Sequence, residues 1–162
     1  MNIIIVIISL YLDGIVSIIT SPNSFYIPHL LLTTLFFIYP KYKNKDKTYN
    51  VILIISGLLY DLLYTNLLFF HAIIFFIIGK LIMFLNKNFS QNIIMQIISL
   101  IITITIYIFL IAGFLLFFKT THLNIIKIIE YIIKSLLINV ISTLSLDAFL
   151  LATFKASSEI SL

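Results

Sequence analysis

The chain has 162 residues, of which 62% are hydrophobic and only 10% are charged, and its mean hydropathy is +1.20. A soluble domain of this composition would expose large apolar patches, whereas lipid accepts apolar side chains on every helix face. The composition therefore excludes an ordinary soluble protein and indicates a membrane protein. The net charge of +4 comes from lysines that concentrate in predicted loops, which argues against a nucleic-acid-binding surface. The lack of cysteine excludes disulfides, thiolate metal sites and cysteine nucleophiles in these residues.

Six apolar stretches are predicted to span a membrane, because a span needs roughly 20 apolar residues, or fewer in a short hairpin. They cover residues 2–19, 25–39, 48–64, 67–85, 93–118 and 135–154. The first stretch could be mistaken for a secretory signal. It has no basic region before it, contains Asp13 and is followed by no small-residue cleavage motif, so we expect it to be retained. Only Thr65 and Asn66 separate the third and fourth spans, which predicts a tight antiparallel hairpin.

Residues 123–134 are predicted to form an additional helix at the membrane interface. Lys127, Glu130 and Lys134 are spaced by three and four residues and therefore share one helix face. No segment is long or polar enough for a separate soluble domain, so residues 1–162 are expected to form a single transmembrane domain. The expected fold class is all-α: a polytopic bundle of six transmembrane helices.

The lysines also predict an orientation. The loop between the second and third spans, residues 40–48, is called the lysine loop here and contains Lys41, Lys43, Lys45 and Lys47. Lys87 and Lys155 follow the fourth and sixth spans, while the first loop and the hairpin turn carry no charge. By the positive-inside rule, both termini and the lysine loop are expected on the cytoplasmic side, and all six spans agree with that orientation.

Three carboxylates lie inside predicted spans: Asp13, Asp61 and Asp147. On insertion scales each costs about 2.5–3.5 kcal/mol at mid-depth, so each is expected to face the protein interior. With the N-terminus inside, Asp13 and Asp61 both lie toward the outer half of the membrane and are expected to share a polar cluster. Asp147 lies toward the cytoplasmic half, away from that cluster.

Small and polar residues recur at helical spacing beside these carboxylates. Small residues at every fourth position let helix backbones approach closely, and serine, threonine and asparagine add hydrogen bonds between helices. Ser9, Asp13 and Ser17 form such a stripe in the first span. In the sixth span, one stripe contains Ser135, Asn139, Thr143 and Asp147, and a second contains Ala148, Ala152 and Ala156. The residues predicted to pack helices or to contact a partner are Asp13, Gly14, Gly57, Asp61, Asn139, Thr143, Asp147, Ala148 and Ala152.

Catalysis and ion transport are the competing interpretations of the carboxylates. An intramembrane aspartyl protease needs two aspartates at matching depth in more specific settings than "YLDG" and "LLYDLL", and no complementary lysine or histidine shares a span and depth with an aspartate. The histidines lack metal-ligand spacing, although His71 lies on the same side of the predicted hairpin as Asp61 and could hydrogen-bond to it. Packing or partner recognition is therefore favoured, and no catalytic residue, metal site or cofactor is predicted.

The stretch "GLLYDLLYTNLLFFHAIIFFIIGKLI" resembles the central hairpin of the MreD family, the small multi-pass rod shape-determining proteins of bacteria. That family shows a glycine, an apolar pair, a variable residue and an aspartate, and Gly57 and Asp61 match this pattern. "YLDGIVSIIT", with Asp13 and Gly14, resembles the first span of Gram-positive members, and "IPHLLLTTLFFIY" resembles the second. One departure is that the family usually has Leu-Gly after the turn, where this chain has Leu68 and Phe69.

The resemblance implies a non-enzymatic scaffold in the bacterial cytoplasmic membrane, with no cofactor. Such a protein binds an MreC-like single-span partner and helps to maintain rod shape during peptidoglycan synthesis, in a machinery that also contains MreB, RodA and a class B penicillin-binding protein.

The alternative function is that of a substrate-binding membrane subunit of an energy-coupling-factor vitamin transporter, since those subunits are similar in size and architecture. Asp13, Asp61, Tyr64 and His71 would then line a pocket near the outer face. Two features argue against this alternative. The outer loops are short, and the alanine series lies in the sixth span, whereas docking of a coupling subunit would need alanines in the first span.

Overall fold

The computed structural model describes residues 2–19, 29–65, 67–89 and 92–117, together with helical residues 126, 129–130, 132–136 and 139. The helices in the first four ranges are α1 (Asn2–Ile19), α2 (Leu30–Ile38), α3 (Asp46–Tyr64), α4 (Phe70–Asn88) and α5 (Ile93–Phe117), and a 3-10 helix, Tyr39–Tyr42, continues α2. The described part of the chain contains no strand. The all-α fold class is therefore confirmed.

Two of these helices, α4 and α5, are long and apolar enough to cross a membrane. Shorter apolar helices cover Ile3–Val16 and Leu30–Tyr42. Each of the five helices falls on one of the first five predicted spans, although α2 starts only at Leu30. Half of the predicted interfacial helix and most of the sixth span lie outside the described residues. The candidate residues Thr143, Asp147, Ala148 and Ala152 are among those outside.

The antiparallel hairpin of α3 and α4 is the centre of the described structure. Helix α1 packs against α2 and α3, α5 packs against α4, and the 3-10 helix contacts both α3 and α4. The core between them is apolar and includes the fully buried side chains Leu35, Leu53, Ile78, Ile82, Leu100 and Ile104. Outward-facing positions are apolar as well, as on α1, where Ile3, Ile4 and Tyr11 are exposed. Apolar side chains on both the inner and the outer faces are typical of helices surrounded by lipid.

The backbones of α3 and α4 touch at Gly57. A Cβ atom at this position would lie 2.5 Å from the backbone nitrogen of Ala72 and 2.7 Å from the carbonyl carbon of His71. Neither backbone atom can move aside without displacing α4, so glycine is required for this close approach. Gly113 on α5 is the opposite case, because no atom lies within 4 Å of the Cβ that a substitution would add.

The turn before α4 contains a strained residue. Phe69 is the N-cap of α4 and has a φ of 69°, in the left-handed region, and it is the one non-glycine residue with positive φ in the described part of the chain. A bulky side chain disfavours this conformation by about 1–2 kcal/mol, whereas glycine adopts it readily. Glycine would therefore suit this position better than phenylalanine.

We expect Phe69→Gly to raise the stability of the hairpin by up to about 1 kcal/mol, because relief of the left-handed strain outweighs the greater freedom of glycine in the unfolded chain. Thermal unfolding of the purified protein in mild detergent measures the change. Leu68→Gly is the control: Leu68 has no positive φ, so this substitution should destabilise the protein. An equal loss of stability in both variants would contradict the strain at Phe69.

Gly57→Ala should destabilise the protein by about 1–3 kcal/mol, because the added methyl group collides with the α4 backbone. Gly113→Ala introduces the same methyl group into open space and should be neutral or stabilising by up to about 1 kcal/mol, since alanine favours a helix over glycine. Chemical or thermal unfolding of both variants in the same detergent provides the comparison. Equal stabilities for the two variants would show that α3 and α4 do not approach closely at Gly57.

Candidate functional site

Asp61, near the end of α3, caps the start of α4. Its side chain is almost fully buried, and its two carboxylate oxygens lie 2.9 and 3.1 Å from the backbone nitrogen of His71, which donates to them. The Thr65 hydroxyl donates to the same carboxylate at 2.9 Å, and Nδ1 of His71 lies 2.7 Å from it. The first N–H groups of a helix lack partners within the helix, and lipid supplies none, so a carboxylate from the preceding helix satisfies them and interacts favourably with the helix dipole.

Asp13 on α1 caps the start of α2 in the same way. Its Oδ1 accepts a hydrogen bond from the backbone nitrogen of Leu30 at 2.7 Å, and its Oδ2 accepts one from Leu31 at 3.0 Å. The residue at the N-cap position, His29, makes no side-chain capping bond of its own. The same capping interaction therefore occurs twice: Asp13 of α1 accepts hydrogen bonds from the first N–H groups of α2, and Asp61 of α3 accepts one from those of α4.

Asn139 supplies a third connection to the start of α2. Its fully buried side-chain oxygen accepts a hydrogen bond from the backbone nitrogen of His29 at 3.0 Å and lies 3.2 Å from the Thr33 hydroxyl. Its side-chain nitrogen donates to the Ser135 carbonyl at 2.7 Å. Asn139 thus joins the helical residues 132–136 to α2, which lies far away in the sequence.

Aromatic rings enclose these caps. The Tyr60 ring lies 4.5 Å from the His71 ring, and Tyr107 on α5 lies 5.0 Å from the His29 ring and 6.0 Å from Phe75. Tyr60 is also close enough to Asp13 and to Asp61 to interact electrostatically with both. The polar residues at this end of the helices, called the polar cluster below, are Asp13, His29, Thr33, Tyr60, Asp61, His71, Tyr107 and Asn139. Asp13 and Asp61 therefore belong to one cluster, as expected.

Gly14 and Tyr64 attach α1 to the end of α3 beside this cluster. The Tyr64 hydroxyl donates to the backbone oxygen of Leu10 at 2.9 Å, and its ring lies so close to Gly14 that a Cβ there would be 2.6 Å from the ring atoms Cε1 and Cζ. Gly14 therefore provides the space for the tyrosine ring. Of the predicted site residues, Asp13, Gly14, Gly57, Asp61 and Asn139 all lie at or beside the contacts that hold this end together.

The polar groups of this cluster form hydrogen bonds that hold the helix ends together. Both carboxylates receive backbone donors, and in the described ranges no group of three histidine, aspartate or glutamate side chains is arranged to hold a metal ion. The hydrogen bond between Asp61 and His71, which the hairpin made possible, is present. Sequence analysis missed Thr33 and Tyr107, because polar or aromatic residues inside an apolar run carry no signal of the helix that they will face.

Comparison with protein-family models, curated proteins and solved structures found no match for this chain.

Asp61→Ala should lower the stability by at least about 2 kcal/mol, because it removes the cap and leaves the buried backbone N–H of His71 and the partly buried hydroxyl of Thr65 without this acceptor. Asp46→Asn is the matched control: Asp46 pairs with Lys87 at 3.6 Å, and both side chains are about half exposed, so the loss should stay within about 1 kcal/mol. Thermal unfolding in detergent measures both. Similar small losses would contradict the capping role of Asp61.

Proposed function

We propose that this chain is a multi-pass protein of the bacterial cytoplasmic membrane and a non-enzymatic scaffold of the MreD type. In this proposal it binds an MreC-like single-span protein and helps to maintain rod shape during peptidoglycan synthesis. MreB, RodA and a class B penicillin-binding protein belong to the same machinery. The observation that carries the proposal is the use of both span carboxylates, Asp13 and Asp61, as caps on neighbouring helices.

The six-span arrangement, with both termini and the lysine loop in the cytoplasm, is part of the proposal. The length and apolar character of α4 and α5 support it, as do the exposed apolar side chains on α1 and α3. The lysine distribution agrees with it, because four of the ten lysines fall within residues 40–48.

Three positions behind the resemblance have structural roles in this chain. Gly57 permits contact between the two backbones of the central hairpin, and Asp61 caps the second helix of that hairpin. Phe69 adopts the backbone conformation that the family's usual glycine would favour. A motif whose residues shape a hairpin supports a scaffold, because a scaffold functions through the shape that its helices present.

The transporter-subunit alternative receives less support from the polar cluster. Such a subunit needs polar groups that are free to bind a vitamin-sized ligand. The carboxylates of Asp13 and Asp61 receive backbone N–H groups, His71 Nδ1 lies against Asp61, and the Tyr64 hydroxyl donates to Leu10. A ligand would have to break these hydrogen bonds in order to use the same groups.

The proposal predicts that the chain co-purifies with an MreC-like single-span protein from the same genome, and that cells depleted of the chain become round. Asp61→Ala and Gly57→Leu should weaken co-purification, because they alter the hairpin, whereas Gly113→Ala should restore both binding and rod shape. Immunoblotting of membranes shows whether each variant accumulates, so that loss of binding is separated from loss of protein.

Two results would contradict the scaffold. One is full partner binding and normal rod shape in both hairpin variants. The other is tight binding of a vitamin-sized ligand by the purified protein, which would favour the transporter alternative.

A further inference from the structure

The lysine loop and the end of α4 bring five exposed lysines to the end of the hairpin opposite the polar cluster. This lysine patch consists of Lys41, Lys43, Lys45, Lys47 and Lys87. Lys87 belongs to it because its Nζ atom lies 3.6 Å from Asp46 Oδ2, at the start of α3. The 3-10 helix forms the first part of the lysine loop and packs against both α3 and α4, which fixes the loop next to the end of α4.

From this arrangement we infer that the lysine patch binds the phosphate headgroups of anionic phospholipids in the leaflet that surrounds it. The patch contains five positive charges and only one negative charge, because Asp46 is the one acidic residue in the lysine loop. Clusters of four or more lysines next to membrane helices attract anionic lipids, each contributing separately to the affinity. Lysine suits this role because its ammonium group is a compact charge on a flexible stem that can reach differently placed phosphates.

The depth of the patch favours lipid over a soluble acidic partner. Only Lys43, Asn44 and Lys45 separate the 3-10 helix from α3, so the loop has no length with which to extend beyond the headgroups. Below it lies a rigid aromatic base, in which the Tyr49 ring is 5.0 Å from Tyr39 and 6.4 Å from Tyr42. The Tyr49 hydroxyl donates to the Leu35 carbonyl at 3.0 Å and anchors this base.

A bound cation is the competing interpretation of this region. Three oxygen atoms are buried there without a hydrogen-bond partner in the described part of the chain, namely Tyr39 Oη, Asp46 Oδ1 and Asn50 Oδ1. Such oxygens suit a hard cation. However, the surrounding lysines repel a cation, and Asp46 already faces Lys87. The net positive charge therefore selects an anionic ligand for the surface of the loop.

The test uses the full chain, purified in a neutral detergent and titrated with phosphatidylglycerol or with phosphatidylcholine. Native mass spectrometry counts retained lipids, and thermal unfolding reports stabilisation. We expect phosphatidylglycerol to be retained and to raise the unfolding midpoint, with little effect of phosphatidylcholine. Replacing all four loop lysines by glutamine should weaken phosphatidylglycerol binding by several hundredfold, roughly, since each lysine contributes about fivefold. Replacement by arginine should preserve it.

Two further comparisons isolate the patch. Lys43→Gln should weaken binding about fivefold, whereas Lys119→Gln removes the same charge from a position that is not part of the lysine patch and should have little effect. Raising the ionic strength from about 0.1 M to about 1 M should also release the lipid, because the screening length falls from about 10 Å to about 3 Å.

Three results would overturn the inference: retention of phosphatidylglycerol by the four-glutamine variant at the level of the parent, equal retention of phosphatidylcholine, or equal stabilisation by inorganic phosphate. The inference rests on the proposed membrane location, and the two can fail separately. Extraction of cell membranes with alkaline carbonate tests the location, whereas the lipid titration tests the lysine patch.

Discussion

The described structure depends on the capping of helix starts by carboxylates from neighbouring helices. Every helix begins with N–H groups that lack partners, and inside a bilayer an unsatisfied donor costs several kcal/mol. Asp13 and Asp61 meet this requirement for α2 and α4. The cost of placing a carboxylate in an apolar helix is offset because each carboxylate accepts donors that would otherwise be unpaired. An aspartate that is anomalous in the sequence is thus a structural necessity for the helix that follows.

The central hairpin connects this capping to helix packing. Asp61 reaches His71 because Gly57, one turn earlier on α3, allows the backbone of α4 to approach closely. The strained conformation of Phe69 starts α4 in the direction that the contact requires. The glycine, the aspartate and the turn therefore act as one unit, so substitutions at these positions are expected to be coupled and not additive.

The two ends of the hairpin have opposite characters. At one end, the polar cluster is buried, and its hydrogen bonds are made within the protein. At the other end, the lysines of the loop are exposed, and their charges point outward. In the proposed orientation, the polar cluster fixes the relative positions of the helices in the outer half of the membrane, while the lysine loop interacts with the cytoplasmic surface. Such a division suits a scaffold, whose rigid end sets its shape and whose charged end sets its position.

The sequence by itself determined the all-helical class and the approximate ranges of α1, α3, α4 and α5, because long apolar runs and polar turns are local features. It also indicated that Asp13 and Asp61 face inward, since a carboxylate among leucines is costly on any exposed face. Only the tertiary structure decided what those carboxylates bind, that Asn139 holds the start of α2, and that Tyr60 interacts electrostatically with both Asp13 and Asp61. The physical reason is that a hydrogen bond between helices depends on their relative rotation and translation, and helical periodicity in one segment carries no information about the segment that it will meet.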